Sequence, residues 1–359
     1  MNPPPPGSPI PEPWRTASYD YSLPEGLVAQ EPANRREDAR LLVVPRSGDA
    51  VAPLRDATIP DLEGLLGPGD LLVVNETRVI PARLEAIREE TGGKAEVLLL
   101  EHGEGSIRLM LGTRGKPSPG EAIVVADGAL SLVLEENEGE GVWRARTAAS
   151  SEELRNAMER HGHVPLPPYI RREDRPDDRE RYQTVFARHD GAVAAPTAGL
   201  HLTPELLRSF EANGVARTAV TLHVGPGTFR PVLSDDLRAH PMHEERFEVS
   251  TEAASTINAC RERGGRIVAV GTTVIRVLES AVGEDGHLAP GPGRTSLFIH
   301  PPWTFRLVDA LLTNFHAPRS TLLMLVAAFA TKDRIMDSYA HAVRERYRLL
   351  SYGDAMFLA

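Results

Sequence analysis

A single cysteine, Cys260, leaves the chain without an internal disulfide, which suits a reducing compartment. It falls in a helical pattern, INACRERGG, where packing is the expected role. Long apolar runs are missing as well. The most apolar stretch, Leu322 to Ala330, is well short of the ~20 residues that cross a bilayer. The opening residues, MNPPPPGSPIPEPW, lack a basic region followed by an apolar run and so do not read as a secretion signal. They read as a disordered, solvated polyproline tail over residues 1–18. Cytoplasmic localisation, no membrane contact and a monomeric state are expected. Positive charge is in the minority: 40 Lys and Arg stand against 50 Asp and Glu, a net charge of -10. The overall field gives no attraction to a polyanion, so RNA binding would need a local basic patch.

The short signatures of the large catalytic classes are absent too. No G-x-S-x-G elbow, Walker loop or G-x-G-x-x-G turn occurs, and the glycines of GPGTF have the wrong spacing. HPMHEE sets two histidines three apart before two glutamates. It lacks the helical H-E-x-x-H spacing and a second ligand cluster, so no metal is expected.

What is present divides the 359 residues in two. Over 57–149, short β-rich runs such as KAEVLLLEHGEGSIRLML alternate with Gly, Pro and acidic turns, the pattern of a small antiparallel barrel. After 150, strands alternate with amphipathic helices. SSEELRNAMERHG takes Ser150 or Ser151 as N-cap, TPELLRSFEANG starts at Pro204 and stops before Gly214, and RSTLLMLVAAFA is capped by Ser320. The expected fold is α/β: a layered main domain, residues 19–56 and 150–359, interrupted by an inserted β-barrel domain, 57–149.

Polar residues set among glycines at the ends of strand-like runs mark the candidate site. APTAGLH offers Thr197, Gly199 and His201. TLHVGPGTF offers His223, Gly225 and Gly227, and VAVGTT offers Gly271, Thr272 and Thr273. DALLTNFH offers Asn314 and His316. Ligands of open α/β sheets sit beyond the carboxyl ends of strands, and all four segments fit that place. His201, His223 and His316 are therefore expected to line one pocket. The bland reading of each is a hydrogen-bonded core histidine. The GTT turn opens a helix whose free N–H groups suit an anion, although Thr272 or Thr273 could equally be an ordinary cap. Arg276 and Glu279, three apart on that helix, read as a surface ion pair. Arg171 to Arg181, RREDRPDDRER, is a salt-bridged loop or an RNA-facing one; Arg344, Arg346 and Arg348 form a second basic candidate.

Taken together, YDYSLPEGLVAQEP, GDLLVVNETRVIPARL, PLPPYI, ERYQTVFA, APTAGLH, VTLHVGPGTF, HPMHEE, the GTT turn, DALLTNFHAPRSTLLMLVAAFA and SYGDAMFL resemble the S-adenosylmethionine:tRNA ribosyltransferase-isomerases of queuosine biosynthesis. The resemblance runs from Tyr19 to the end. It implies an enzyme that transfers the ribosyl part of S-adenosylmethionine to 7-aminomethyl-7-deazaguanine at the wobble position of tRNA. Epoxyqueuosine-tRNA forms, and adenine and methionine leave. S-adenosylmethionine is a co-substrate, and no cofactor is implied. The chemistry asks for a base at the acidified C5′–H, an acid for departing adenine and a neutral amine, tasks suited to histidine. His201, His223, His243 and His316 are the catalytic candidates. The GTT turn is the expected anchor of the methionine carboxylate, with Glu279 or Asp309 for its ammonium. Arg171, Arg172, Arg175, Arg344 and Arg348 are the expected RNA contacts. The chain departs from the family's usual residues at Val274, Pro302, Trp303, Ala317 and Pro226, which leaves the acceptor open. Competing readings are a paralogue acting on a small-molecule amine and a non-catalytic RNA-binding relative.

Overall fold

The computed structural model describes residues 10–46, 52–103, 105–229 and 232–359. Along the chain come β1 (Arg40–Val44), β2 (Arg55–Thr58), β3 (Leu71–Asn75) and β4 (Thr77–Val79). Six strands follow: β5 (Arg83–Arg88), β6 (Lys94–His102), β7 (Ser106–Thr113), β8 (Ala122–Val125), β9 (Leu130–Gly139) and β10 (Val142–Arg146). Then come helix α1 (Ser151–His161), the one-turn α2 (Asp178–Arg181), β11 (His189–Ala192), α3 (Pro204–Ala212) and β12 (Ala216–Leu222). The remainder is β13 (Glu245–Val249), α4 (Thr251–Glu262), β14 (Ile267–Val270), α5 (Thr272–Ala281), β15 (Gly291–Thr295), β16 (Ala310–Asn314), α6 (Thr321–Ala330), α7 (Lys332–Arg344) and β17 (Ala355–Leu358).

Nine strands form one sheet in the order β15-β13-β12-β3-β14-β16-β17-β1-β2. Its centre, β12, β3, β14 and β16, is parallel. Such strands are covered on both faces, which is why LLVV, IVAV and ALLTN are apolar without alternation and buried throughout. Parallel registry also brings four carboxyl ends to one edge: Leu222, Asn75, Val270 and Asn314. The helix ends follow their sequence signals. Ser150, with Glu153 completing a capping box, caps α1; Thr203 caps α3 and Ser320 caps α6. Cys260 is buried, and burial pushes its thiol up, as suits a packing residue.

The six strands β5 to β10 close into a separate antiparallel barrel with its own core, including Leu84, Val97, Leu109, Leu132 and Trp143. The boundary expected at 57 is corrected. β2 and β3 pair in the large sheet, so the barrel strands span only 83–146. Both stretches are β-rich, and composition does not tell one sheet from the other. The 1–18 tail is corrected in its second half, while residues 1–9 lie outside the described residues. Residues 12–14 and 16–19 form two tight turns. Trp14 packs edge-on against His300 at 4.4 Å, and Thr16 N–H donates to Asp235 C=O at 3.0 Å. The prolines there preset a docked arm. Among the described residues no helix is long and apolar enough to cross a membrane.

Candidate active site

Two cavities open at the carboxyl edge of the parallel strands. The first, about 410 Å³, lies between the barrel and the main domain. Met110, Glu138 and Arg144 wall it on one side, and His223, the GPGT loop and His243 on the other. The second, inner one, about 330 Å³, is lined by the main domain alone, between the start of α5 and the end of β16. They share Val224, Thr228 and Leu322 as a common wall. The single histidine pocket expected is thus two neighbouring ones. His223 and His243 line the first, and His316 lines the second. His201 lines neither; it is buried behind Asn314, whose Nδ2 donates to its Nε2 at 3.1 Å. It sits in a tight turn, residues 197–201, that folds its ring inward.

Each histidine has one ring nitrogen held. Thr77 Oγ1 lies 2.9 Å from His223 Nδ1, and Thr313 Oγ1 lies 2.9 Å from His316 Nε2. The His316 backbone is fixed on both sides, its N–H donating to Tyr339 Oη at 2.7 Å and its C=O accepting from Tyr21 Oη at 2.8 Å. Burial pushes the His316 pKa down to about 3. Burial, with Arg36 and Arg348 near, pushes that of His201 to about 4. Burial, with Arg246 and His189 adding repulsion, lowers that of His223. Buried imidazole is disfavoured as a cation, so these rings are neutral bases and acceptors at neutral pH.

The GTT turn is a helix start that opens on the second cavity. Gly271 is the N-cap, with φ +93 and no side-chain cap bond, and Thr272 and Thr273 are the first helical residues. Plain capping by either threonine is therefore ruled out by geometry. All three residues line the second cavity, as do Thr197, Asn314 and Ala317. Gly225, Pro226 and Gly227 line the first. A side chain at Gly227 would meet the His243 ring at 2.4 Å, so this glycine permits a close approach. Gly199 is a packing residue: a Cβ there would meet the Phe186 ring at 2.7 Å.

Glu279 and Asp309 face neither cavity. Glu279 accepts the backbone N–H groups of Arg306 and Leu307 at 3.1 Å. Asp309 precedes β16 and binds Ile267 N–H at 2.8 Å, at the sheet edge opposite the site. Nor do Arg276 and Glu279 form a surface pair. Both are buried, and Arg276 instead pairs with Glu245 and donates to Thr295 C=O at 3.3 Å. Glu245 in turn accepts Gly225 N–H at 3.0 Å and so holds the GPGT loop. The rest of HPMHEE goes to separate partners, His243 toward Glu140 of the β9–β10 hairpin at 3.5 Å and Glu244 to Arg294 at 2.7 Å. Among the described residues no group of three or more His, Cys, Asp or Glu is placed to hold a metal ion. Val274, Pro302 and Trp303 line neither cavity.

Asn75 and Thr77 escaped sequence reasoning. Asn75, buried at the end of β3, bonds both Leu222 N–H and C=O at 3.0 Å and donates to Thr273 Oγ1 at 3.3 Å. It ties β12 to the GTT turn. A buried polar residue ending LLVVN, followed by Thr, was the available signal. The arginines also sort by geometry. Arg172 is consumed by Asp178 at 2.6 and 2.9 Å and is not an exposed RNA contact. Arg171, Arg175 and Arg344 are exposed beside Glu25, Glu31 and Glu345. Arg348 donates to Glu31 C=O, so the 171–175 loop and the 348 region meet at one loop.

The queuosine biosynthesis protein family matches residues 16–358. An S-adenosylmethionine:tRNA ribosyltransferase-isomerase of Anaeromyxobacter sp. (strain Fw109-5) is 53% identical over 348 residues, 96% of this chain and 99% of that one. One from Geobacter sulfurreducens is 47% identical over 343 residues, 95% and 98% of the two chains. The crystal structure of an S-adenosylmethionine tRNA ribosyltransferase from Thermotoga maritima is 36% identical and superposes with a TM-score of 0.55, covering 95% of this chain and 100% of that one.

Proposed function

Since the chain belongs to the queuosine biosynthesis protein family and is a transferase of the S-adenosylmethionine:tRNA ribosyltransferase-isomerase class, we propose that it acts in the cytoplasm on 7-aminomethyl-7-deazaguanine at the tRNA wobble position. The ribosyl group of S-adenosylmethionine passes to the aminomethyl nitrogen, epoxyqueuosine-tRNA results, and adenine and methionine leave. The observation that carries this reading is the pair of abutting cavities at the strand ends, joined at Val224, Thr228 and Leu322. A two-ended substrate can span them with its ribose at the shared wall.

In this reading Thr197, Gly271, Thr272, Thr273 and Asn314 contact S-adenosylmethionine in the inner cavity, and Gly225 and Gly227 contact it in the outer one. His223, oriented through Nδ1 by Thr77, presents Nε2 as the base for the C5′–H that the sulfonium acidifies. His316 stands at the inner end. His201 acts through Asn314 as a positioning residue. The barrel side of the outer cavity receives the tRNA base, with His243 at that junction. No further cofactor enters the scheme.

The test is incubation of the intact protein with S-adenosylmethionine and tRNA carrying the deazaguanine precursor, followed by nucleoside mass analysis. Epoxyqueuosine with stoichiometric adenine is the expected result. Adenine release driven by a free small amine but not by tRNA would establish the paralogue reading instead. No turnover with either would leave a binding protein.

A further inference from the structure

The inner cavity differs from the outer one in charge. Among the described residues no Asp, Glu, Lys or Arg lines the inner cavity. Its walls are Leu23, Tyr169, Phe315, Leu322 and Leu350, interrupted by hydroxyls, Asn314 and His316. The outer cavity carries both signs, with Glu101, Glu138 and Glu244 beside Arg108, Arg144 and Arg294.

A methionine zwitterion in the inner cavity would have a carboxylate partner in α5 but no counter-charge for its ammonium, because Glu279 and Asp309 face elsewhere. An unpaired buried ammonium is strongly disfavoured. A purine raises no such difficulty: it is flat, neutral in the ground state and rich in hydrogen-bonding edges. Asn314 has the matching feature. It is 2% exposed, its Nδ2 is committed to His201 and Leu350 C=O, and its Oδ1 has no partner. Buried acceptors are normally partnered, and Asn314 lines this cavity, so a ligand donor reaching Oδ1 would supply the missing bond.

Resting on the proposed function, we infer that the inner cavity is the adenine subsite. Asn314 Oδ1 accepts from the exocyclic amine, and the N-terminus of α5 faces the ring nitrogens. The methionine end and the sulfonium occupy the ion-lined outer cavity. When the C1′–N9 bond breaks, its electron pair stays on the purine, and a ring nitrogen then takes up one proton to give adenine, matching the proton removed at C5′. The free N–H groups of Thr272 and Thr273 and the helix dipole meet that negative charge as it develops, so the subsite binds the leaving group more tightly than the attached base.

The test separates the two ends of the substrate. Binding of S-adenosylmethionine and of 5′-methylthioadenosine, which keeps the purine and lacks the amino acid, is measured on the intact protein by calorimetry. Two variants are compared with wild type: Asn314→Leu, and Leu23→Trp, which fills the cavity from a half-buried position on its rim. Both variants are expected to weaken both ligands by about tenfold or more. Weakened S-adenosylmethionine with unchanged methylthioadenosine in Leu23→Trp places the amino acid there and overturns the inference. So does a wild type that binds S-adenosylmethionine but no methylthioadenosine at millimolar concentration. Wild-type turnover of precursor tRNA is followed separately, so failure of the subsite and failure of the proposed function are told apart.

Discussion

His316 and His201 are neutral in the fold because both are buried, and this makes stability depend on pH in one direction. Their folded pKa values, about 3 and about 4, lie below the ordinary 6.5, so between those limits the unfolded chain binds more protons. Stability is then fully present above about pH 6.5 and falls as the pH drops, by up to about 1.4 kcal/mol per unit for each ring. Melting temperature measured from pH 7 to pH 4 should fall, and His316→Asn should flatten part of that slope; an unchanged slope would mean that the ring is protonated in the fold. A second residue carries geometry alone. Gly191 has φ +143, and a Cβ there would sit 2.8 Å from His223 Nδ1. Gly191→Ala should displace the ring that Thr77 orients and lower turnover by about 10²-fold, with a stability cost of only about 1–3 kcal/mol. Full turnover in this variant would remove His223 from the chemistry. Much of this was legible in sequence: His223, His316 and the GTT turn end strands, and strand ends are readable from apolar runs. What was not legible is direction. His201 has the same local signature as His223 yet turns inward, and Glu279 looks like its helix neighbours yet faces a loop 27 residues on. Side-chain aim depends on long-range packing that no local window contains.

Among the elements, α5 and the GPGT loop are coupled through one buried ion pair, Arg276 with Glu245. The pair holds Gly225 N–H and Thr295 C=O in place, so it fixes the loop against the helix. Removing one partner leaves an uncompensated buried charge, which costs about 3–5 kcal/mol, whereas replacing both by apolar residues restores much of it. Glu245→Gln should therefore lower the midpoint of urea unfolding sharply, and Glu245→Leu combined with Arg276→Met should recover a large part. If the double variant loses as much as Glu245→Leu and Arg276→Met measured singly and summed, the pair is not the coupling. The same logic explains which elements could be read ahead. Helix ends followed Ser150, Thr203 and Ser320 because capping is local chemistry. The 57–149 block takes in β3 because DLLVVN reads identically in a barrel and in a parallel sheet. Pairing partners are set by the β12–β3–β14 registry, between strands well over a hundred residues from β3 in the chain.

At the scale of the molecule, the chain carries a net charge of -10 while the proposed substrate is a polyanion. The barrel leaves the main sheet at the carboxyl end of β3 and re-enters through α1, which places it over the outer cavity, where a tRNA base would arrive. Binding then depends on local cations, since long-range attraction is unfavourable and is screened within about 10 Å at 0.1 M salt. The candidate arginines separate into two kinds. Arg171 and Arg175 are exposed and lightly paired with Glu25 and Glu31, carboxylates themselves largely in water. Such pairs contribute little and can be exchanged for phosphate. Arg172 lies between Asp178 and Gln30 C=O and is part of the fold. The two kinds should respond oppositely. Arg171→Ala with Arg175→Ala should weaken tRNA binding across sequences and reduce the slope of log affinity against log salt by about 1.5, near 0.7–0.9 per phosphate contact, with the melting temperature unchanged. Arg172→Ala should leave the slope alone and lower the melting temperature, because Asp178 then remains buried without its partner. Measuring both quantities on both variants settles the assignment: an unaltered salt slope in the double variant moves the tRNA face away from this loop, to the barrel or to the Arg344 end of α7.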